Sequence, residues 1–584
     1  MYISDITGYE GYSEKEYNGY EKTSRYLTVH DGTRLAIDIY RPTKDGVLHT
    51  EKLPVIWTAT QYRRAFVKPD GSYSDLDESS PLWYFPHISE ILYHGYIIAA
   101  LDVRGSGASY GYHGLQNTMV ECYDLYEVNE WLAAQPWCTG QTGMFGLSAL
   151  GKAQIMCAMM APPSLKCIVP NVFAMENPAM MTNGVVNFGW MSHADEGVWQ
   201  NSVVDPAPPV DEDPDGTMRA EAIEMHKQNP RSDKERREAH YFDDYLPFWN
   251  TKVYMEAYYP NYIYNINNSQ TAVYILGGWK DFYAHDVFYW YKTLKTPKRM
   301  AIGPWFHVDS CKSREGFNFV TEHLRWYDYW LKGIDNGIMS EPAVHLFNNG
   351  ENVWREYKDF PVAGETPVKY YFQGRASKRI DSVVDGSLST RPPFDPAEKS
   401  VYPIDYEVTR NGFMNRFFYT VKGEEDFTEM DKRSVTFTTP PFARDTQFTG
   451  FPVVNFWISA NDKDVDVYAY LQEIDEEGHS WNITEQKIRA SFRGKTEPPF
   501  DNLGLPYHRL MHRDQEPLIP GKVTELNLAL FPMSNLIPKG HALRLTLNCA
   551  DCDNWYKPEL GQATELTIYH NTEYPSHLVL PVVE

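Results

Sequence analysis

Three residues in one order could do acyl-transfer chemistry: a serine in "GMFGLSALGKAQ" (143–154), an aspartate in "YILGGWKD" (274–281) and a histidine in "MAIGPWFH" (300–307). A serine hydroxyl is a poor nucleophile until a histidine takes its proton, and that histidine needs a carboxylate to fix its tautomer. Ser148 lies between an apolar run ending near Phe145 and a helix-like run starting near Leu150. A strand-turn-helix of this kind exposes a hydroxyl at the C-terminal edge of a parallel sheet. The short elbow motif G-x-S-x-G is displaced here. Gly146 precedes Ser148 by two places, but Leu150 follows it by two, and the glycine comes at Gly151.

Asp281 and His307 each follow the end of a strand-like run, in the order Ser, acid, His that α/β-hydrolases use. Asp286 and Asp309 are competing acids. Asp286 falls within the next helix, and Asp309 is too near His307 in sequence to approach its ring from a separate strand. The oxyanion formed on attack needs preorganised donors. One is the backbone N–H of Ala149; the other must come from a loop after an early strand, where "VIWTATQYRRAF" places Tyr62.

The elements that must hold these residues alternate between strand and helix. "LPVIWTAT" and "GYIIAALDV" are short continuous apolar runs, the mark of strands buried on both faces. "ECYDLYEVNEWLAAQ" sets Leu125, Val128, Trp131 and Leu132 at helical spacing, and Pro136 stops it. The alternation predicts an α/β core over 26–173 and 256–340 after an N-terminal tail, 1–25. Residues 174–255, with the proline- and acid-rich "VVDPAPPVDEDPDG" and a charged helical stretch, read as an inserted cap. From 341 to 584 the pattern becomes short runs of period-2 alternation, which predicts an all-β sandwich of jelly-roll type.

Composition bounds the rest. A chain of 584 residues exceeds one hydrophobic core, and 42% hydrophobic content is that of a globular protein. A net charge of −24 argues against nucleic-acid and anionic-membrane partners. No stretch has the pattern of a signal peptide or a spanning helix, and seven scattered cysteines fit a reduced, cytoplasmic setting. "CADC" (549–552) lacks the second pair of ligands that a metal site needs, so no metal is expected. The sequence leaves a homo-oligomer open.

Together "GMFGLSALGKAQ", "GGWKDFYAHD", "GPWFH", "DVRGSGASYG" and "LRWYDYWLKGIDNGI" resemble the CocE/NonD hydrolases, relatives of cocaine esterase and of X-Pro dipeptidyl-peptidases. The resemblance runs from about residue 25 to the end and includes a C-terminal domain of galactose-binding-like type. It implies an elbow with its glycine three places after the serine. It implies Ser148 as nucleophile, Asp281 as acid, His307 as base and the Tyr62 hydroxyl as oxyanion donor, with no cofactor. Ala149 stands where the family usually has tyrosine. Glu176, in "VFAMENP", matches a position that is acidic in several relatives. Phe173, Trp190 and Phe282 are candidate pocket residues, with core packing the competing assignment. The expected substrate is a small-molecule ester, cleaved through an acyl-enzyme. An X-Pro dipeptidyl-peptidase or amide acylase is the alternative, disfavoured because the sequence given has no counterpart of the long N-terminal helical region of full dipeptidyl-peptidases. A non-catalytic carbohydrate- or partner-binding protein is the reading from another class.

Overall fold

The computed structural model describes residues 13–78, 85, 88–113, 118–175, 183–185, 197–229, 241–246, 251–252, 262–307, 316–410 and 425–584. The core is one sheet. Its first strands are β1 (Gly19–Thr28), β2 (Arg34–Lys44), β3 (Val47–Leu48), β4 (Leu53–Thr60), β5 (Ile97–Asp102), β6 (Cys138–Leu147) and β7 (Leu165–Asn171). A two-residue hairpin, β8 (Tyr245–Leu246) and β9 (Thr251–Lys252), stands apart in the insertion. The sheet is completed by β10 (Ala272–Gly278), β11 (Lys298–Gly303), β12 (Val344–Asn348) and β13 (Val353–Tyr357). The strand order is β1-β2-β5-β4-β6-β7-β10-β11-β12-β13, with β3 on β2. From β5 to β12 every pairing is parallel.

Consecutive apolar residues explain why this sheet is covered on both sides, because side chains alternate between its faces. Trp57, Ile97, Met144, Ile168 and Val273 enter one core with α2 (Met119–Ala133), α3 (Ala149–Met159) and the helix Ala284–Thr293. Their neighbours Ile56, Ile98, Phe145, Val169 and Tyr274 enter the opposite core with α1 (Ile88–Tyr93) and the helix Phe319–Lys332. The α2 helix starts at Met119 because Thr118 caps it, its hydroxyl accepting from Glu121 N–H at 3.3 Å.

Two boundaries differ from the sequence reading. Strand β1 begins at Gly19, inside the expected tail, and pairs with β2 along its whole length. Strands β12 and β13 extend the core sheet to Tyr357, because β12 continues beside β11 in parallel. The alternating pattern after 341 therefore includes sheet-edge strands of the core before the β domain proper. That domain runs from Glu365 to Val583 and is mostly antiparallel, with Phe372, Phe437, Phe456, Leu471, Leu545 and Ile568 in its core.

The acid-rich insert is docked on the core. Asp211 accepts from Ser24 N–H at 2.8 Å and Glu212 from Tyr26 N–H at 2.8 Å. Asp213 takes the N–H groups of Met218 and Arg219, which opens the helix Thr217–His226. The "CADC" segment is better read through its middle: Asp551 lies buried beside Arg410, and Cys549 and Cys552 are both free thiols.

Candidate active site

Ser148 sits at the hinge between β6 and α3 with φ 56° and ψ −118°, a conformation that L-residues rarely hold. Its N–H donates to Asn171 O at 2.9 Å, which ties the turn to the end of β7. The displaced glycine has a reason in the packing. A Cβ on Gly151 would lie 2.8 Å from Asn171 O and 3.2 Å from Phe173 Cβ, so the helix can approach β7 only with glycine there. A Cβ on Gly146, at φ 147°, would lie 2.4 Å from Leu150 Cβ. Both glycines are therefore fixed by backbone approach.

Gln154 holds the same turn from below. Its amide donates to Gly146 O at 2.9 Å and to Val169 O at 3.2 Å, and its Oε1 accepts from Val169 N–H at 2.9 Å. Sequence reasoning passed over it, although one glutamine within the apolar "KAQIMCAMMA" was a usable signal.

The acid and the base meet. His307 Nδ1 donates to Asp281 Oδ2 at 2.5 Å, with both side chains buried. The bond puts the proton on Nδ1 and makes Nε2 the basic nitrogen of the neutral ring. The other carboxylate oxygen, Oδ1, accepts from Tyr283 N–H at 2.6 Å. Glycines let the two loops cross: a Cβ on Gly278 would lie 2.3 Å from Trp305 O, and one on Gly303 would enter the Trp305 ring. The ring of Phe282 stacks on His307 with centroids 4.5 Å apart, and Tyr283 lies at 5.9 Å. One turn past Ser148, Lys152 Nζ stands 5.6 Å over the Tyr283 ring, so the elbow helix touches the acid loop.

Other titratable groups nearby have different work. Asp286 accepts from Met175 N–H at 3.0 Å, which ties the helix Ala284–Thr293 to the end of the β7 loop. Burial, with the Lys487 charge as a lesser cause, pushes the His285 imidazole down to about 3, so the ring is neutral and only weakly basic near neutral pH. Asp309 lies outside the described residues.

The two oxyanion candidates stand after different strands of the sheet, Ala149 after β6 and Tyr62 after β4. Ala149 is the first residue of α3, so its N–H has no intrahelical acceptor. Tyr62 follows β4, is partly buried, and donates its own N–H to Thr60 Oγ1 at 2.9 Å. Among the candidate pocket residues, Phe173 is fully buried in the core and packs on Trp290 at 5.6 Å. Phe282 is 5% exposed and covers His307. Glu176 and Trp190 lie outside the described residues. The β domain meets this end of the core where Lys280, beside Asp281, pairs with Glu425; within the core, Trp279 Nε1 donates to Phe347 O on β12 at 2.8 Å.

Comparison with known proteins agrees along the whole chain. Residues 31–309 match the X-Pro dipeptidyl-peptidase (S15 family) model, and residues 336–579 match the X-Pro dipeptidyl-peptidase C-terminal non-catalytic domain. A Mycobacterium bovis protein named a serine esterase is 27% identical over 97% of this chain and 96% of its own. Cocaine esterase of a Rhodococcus species is 22% identical over 96% and 98% respectively. The crystal structure of a CocE/NonD family hydrolase from Staphylococcus aureus superposes with a TM-score of 0.71 at 17% identity, covering 100% of this chain and 99% of that one. With an S15 domain followed by its C-terminal partner domain, the chain belongs to the CocE/NonD and S15 group of serine hydrolases.

Proposed function

We propose that the protein cleaves carboxylic esters through an acyl-enzyme, on an α/β-hydrolase core. The observation that carries this reading is the 2.5 Å bond between His307 and Asp281, on loops at successive strand ends, with Lys152 of the elbow helix over Tyr283 of the Asp281 loop. Ser148 Oγ attacks the ester carbonyl while His307 Nε2 takes its proton. Asp281 keeps the imidazole in the required tautomer and stabilises the imidazolium as it forms. The carbonyl oxygen, now negative, is held by the Ala149 N–H and the Tyr62 hydroxyl. His307 returns the proton to the leaving alcohol, and a water activated by the same nitrogen then releases the acid. No step calls for a cofactor.

Full-length similarity to chains named esterases favours esters as substrates. The S15 match favours a second reading, removal of X-Pro dipeptides by the same residues. A panel of p-nitrophenyl esters set against Ala-Pro and Gly-Pro anilides separates the two. Ester turnover well above anilide turnover is expected; equal or faster anilide cleavage reverses the order. Tyr62→Phe is expected to lower kcat on the best ester by roughly 10- to 1000-fold, as for loss of one oxyanion donor. An unchanged kcat removes Tyr62 from the site.

A further inference from the structure

We propose that Arg64 is a positioning residue for the oxyanion hole, acting through the turn that aims Tyr62. The inference rests on the reading of Tyr62 as an oxyanion donor.

The residue after Tyr62 is strained: Arg63 has φ 92°. A turn in that region persists only where its surroundings over-determine it. The chain is fixed on each side of it. Before the turn, the Tyr62 N–H donates to Thr60 Oγ1 at 2.9 Å. After it, the Arg64 N–H donates to Asp102 Oδ1 at 2.5 Å. Thr60 and Asp102 are register partners at the ends of β4 and β5, so both anchors belong to the rigid sheet.

The Arg64 side chain is 1% exposed and uses its whole fork. Nη1 donates to Asp102 Oδ2 at 2.6 Å and Nε to Asp38 Oδ1 at 2.7 Å. Nη2 donates to Ser24 Oγ at 3.2 Å and to Pro208 O at 2.8 Å. Lys22 faces the other Asp38 oxygen at 2.8 Å, so two cations meet two buried carboxylates. The loop around Asp102 is shaped to admit this: a Cβ on Gly107 would lie 2.2 Å from Asp102 Cγ. Backbone and guanidinium of one residue thus grip one carboxylate.

The bond to Pro208 O extends the grip to the insert. Arg63 adds a second tie there, donating to Asp205 O at 2.6 Å and pairing with its carboxylate at 2.5 Å. Tyr62 is in this way held in register with both the sheet and the segment 205–213. Lysine at position 64 would keep the charge but lose the planar fork, which serves acceptors in several directions at once.

The test is a double-mutant cycle on a p-nitrophenyl ester. In the native background Arg64→Lys is expected to lower kcat about 10- to 100-fold with little change in KM, as for a displaced catalytic group. In the Tyr62→Phe background the same change is expected to cost less than about 3-fold, because the donor it positions is already gone. The inhibition constant of phenylboronic acid, whose adduct places an oxygen in the hole, should weaken in parallel with kcat. An equal kcat loss in both backgrounds, or no loss in either, overturns the inference. If Tyr62→Phe itself leaves kcat unchanged, the failure lies in the oxyanion reading instead. Should Arg64→Lys not fold, Asp38→Asn, which leaves the Asp102 grip intact, replaces it in the same cycle. A smaller loss confined to the Tyr62 background then supports the inference, and a background-independent loss or no loss overturns it.

Discussion

The Ser148 turn and the Tyr62 turn are both strained, and they are held by opposite means. At the elbow the strain is on the candidate serine itself, Ser148 at φ 56°, and neutral groups hold it: two glycines, a backbone bond to Asn171 and the Gln154 amide. At the Tyr62 loop the strain is on the neighbour, Arg63 at φ 92°, and buried charges hold it: Arg64 with Asp38 and Asp102. The elbow must bring a helix against a strand end, so it needs small residues more than charge. At the Tyr62 loop the long Arg64 side chain reaches carboxylates on neighbouring strands instead. Packing sets one turn and electrostatics sets the other.

Substitutions can break that contrast, beginning with the largest expected effect. Gly146→Ala adds a methyl 2.4 Å from Leu150 Cβ at a φ of 147°, so the elbow must move. We expect kcat to fall at least about 100-fold, since a displacement near 1 Å at the reacting atoms can cost that much. Steady-state kinetics with circular dichroism would check it, and a folded, fully active variant would show that the elbow is not sterically fixed. Gln154→Leu is next. It leaves Gly146 O with a lost partner and Val169 N–H buried without its acceptor, at about 1–3 kcal/mol per unsatisfied group. Urea unfolding should show the loss, with kcat falling by less than in Gly146→Ala.

The smallest effect is expected at Arg63→Gly. Glycine adopts φ 92° without steric cost, while the partly exposed pair with Asp205 disappears. These changes oppose each other, so stability should shift by no more than about 1 kcal/mol. Activity should stay within about 10-fold if Arg64 sets the turn. A collapse of kcat would move the positioning role from Arg64 to Arg63.

The same contrast decides what the sequence made legible. Glycines, apolar strand runs and the order of Ser148, Asp281 and His307 are local signals, and the structure places Asp281 on His307 as that order implies. The displaced Gly151 is legible as a motif but not as a cause, because Asn171 O, the atom that requires it, lies twenty residues on. The Arg64 network was invisible for a different reason. Ser24, Asp38, Arg64 and Asp102 sit on separate elements, and no local pattern joins them. The acids of "VVDPAPPVDEDPDG" likewise find their partners far off in sequence, Asp211 and Glu212 accepting from Ser24 and Tyr26 of β1. The aromatic candidates divide: Phe282 stacks on His307, whereas Phe173 packs against Trp290 of a neighbouring helix, a placement that residue type does not report.

The account stands or falls on Ser148 as the nucleophile. Treating the folded protein with a fluorophosphonate and mapping the adduct by peptide mass spectrometry tests it directly. We predict a single adduct on Ser148, lost in His307→Ala while the protein remains folded. No adduct on Ser148 in folded wild-type protein, or an adduct on another serine, would contradict it.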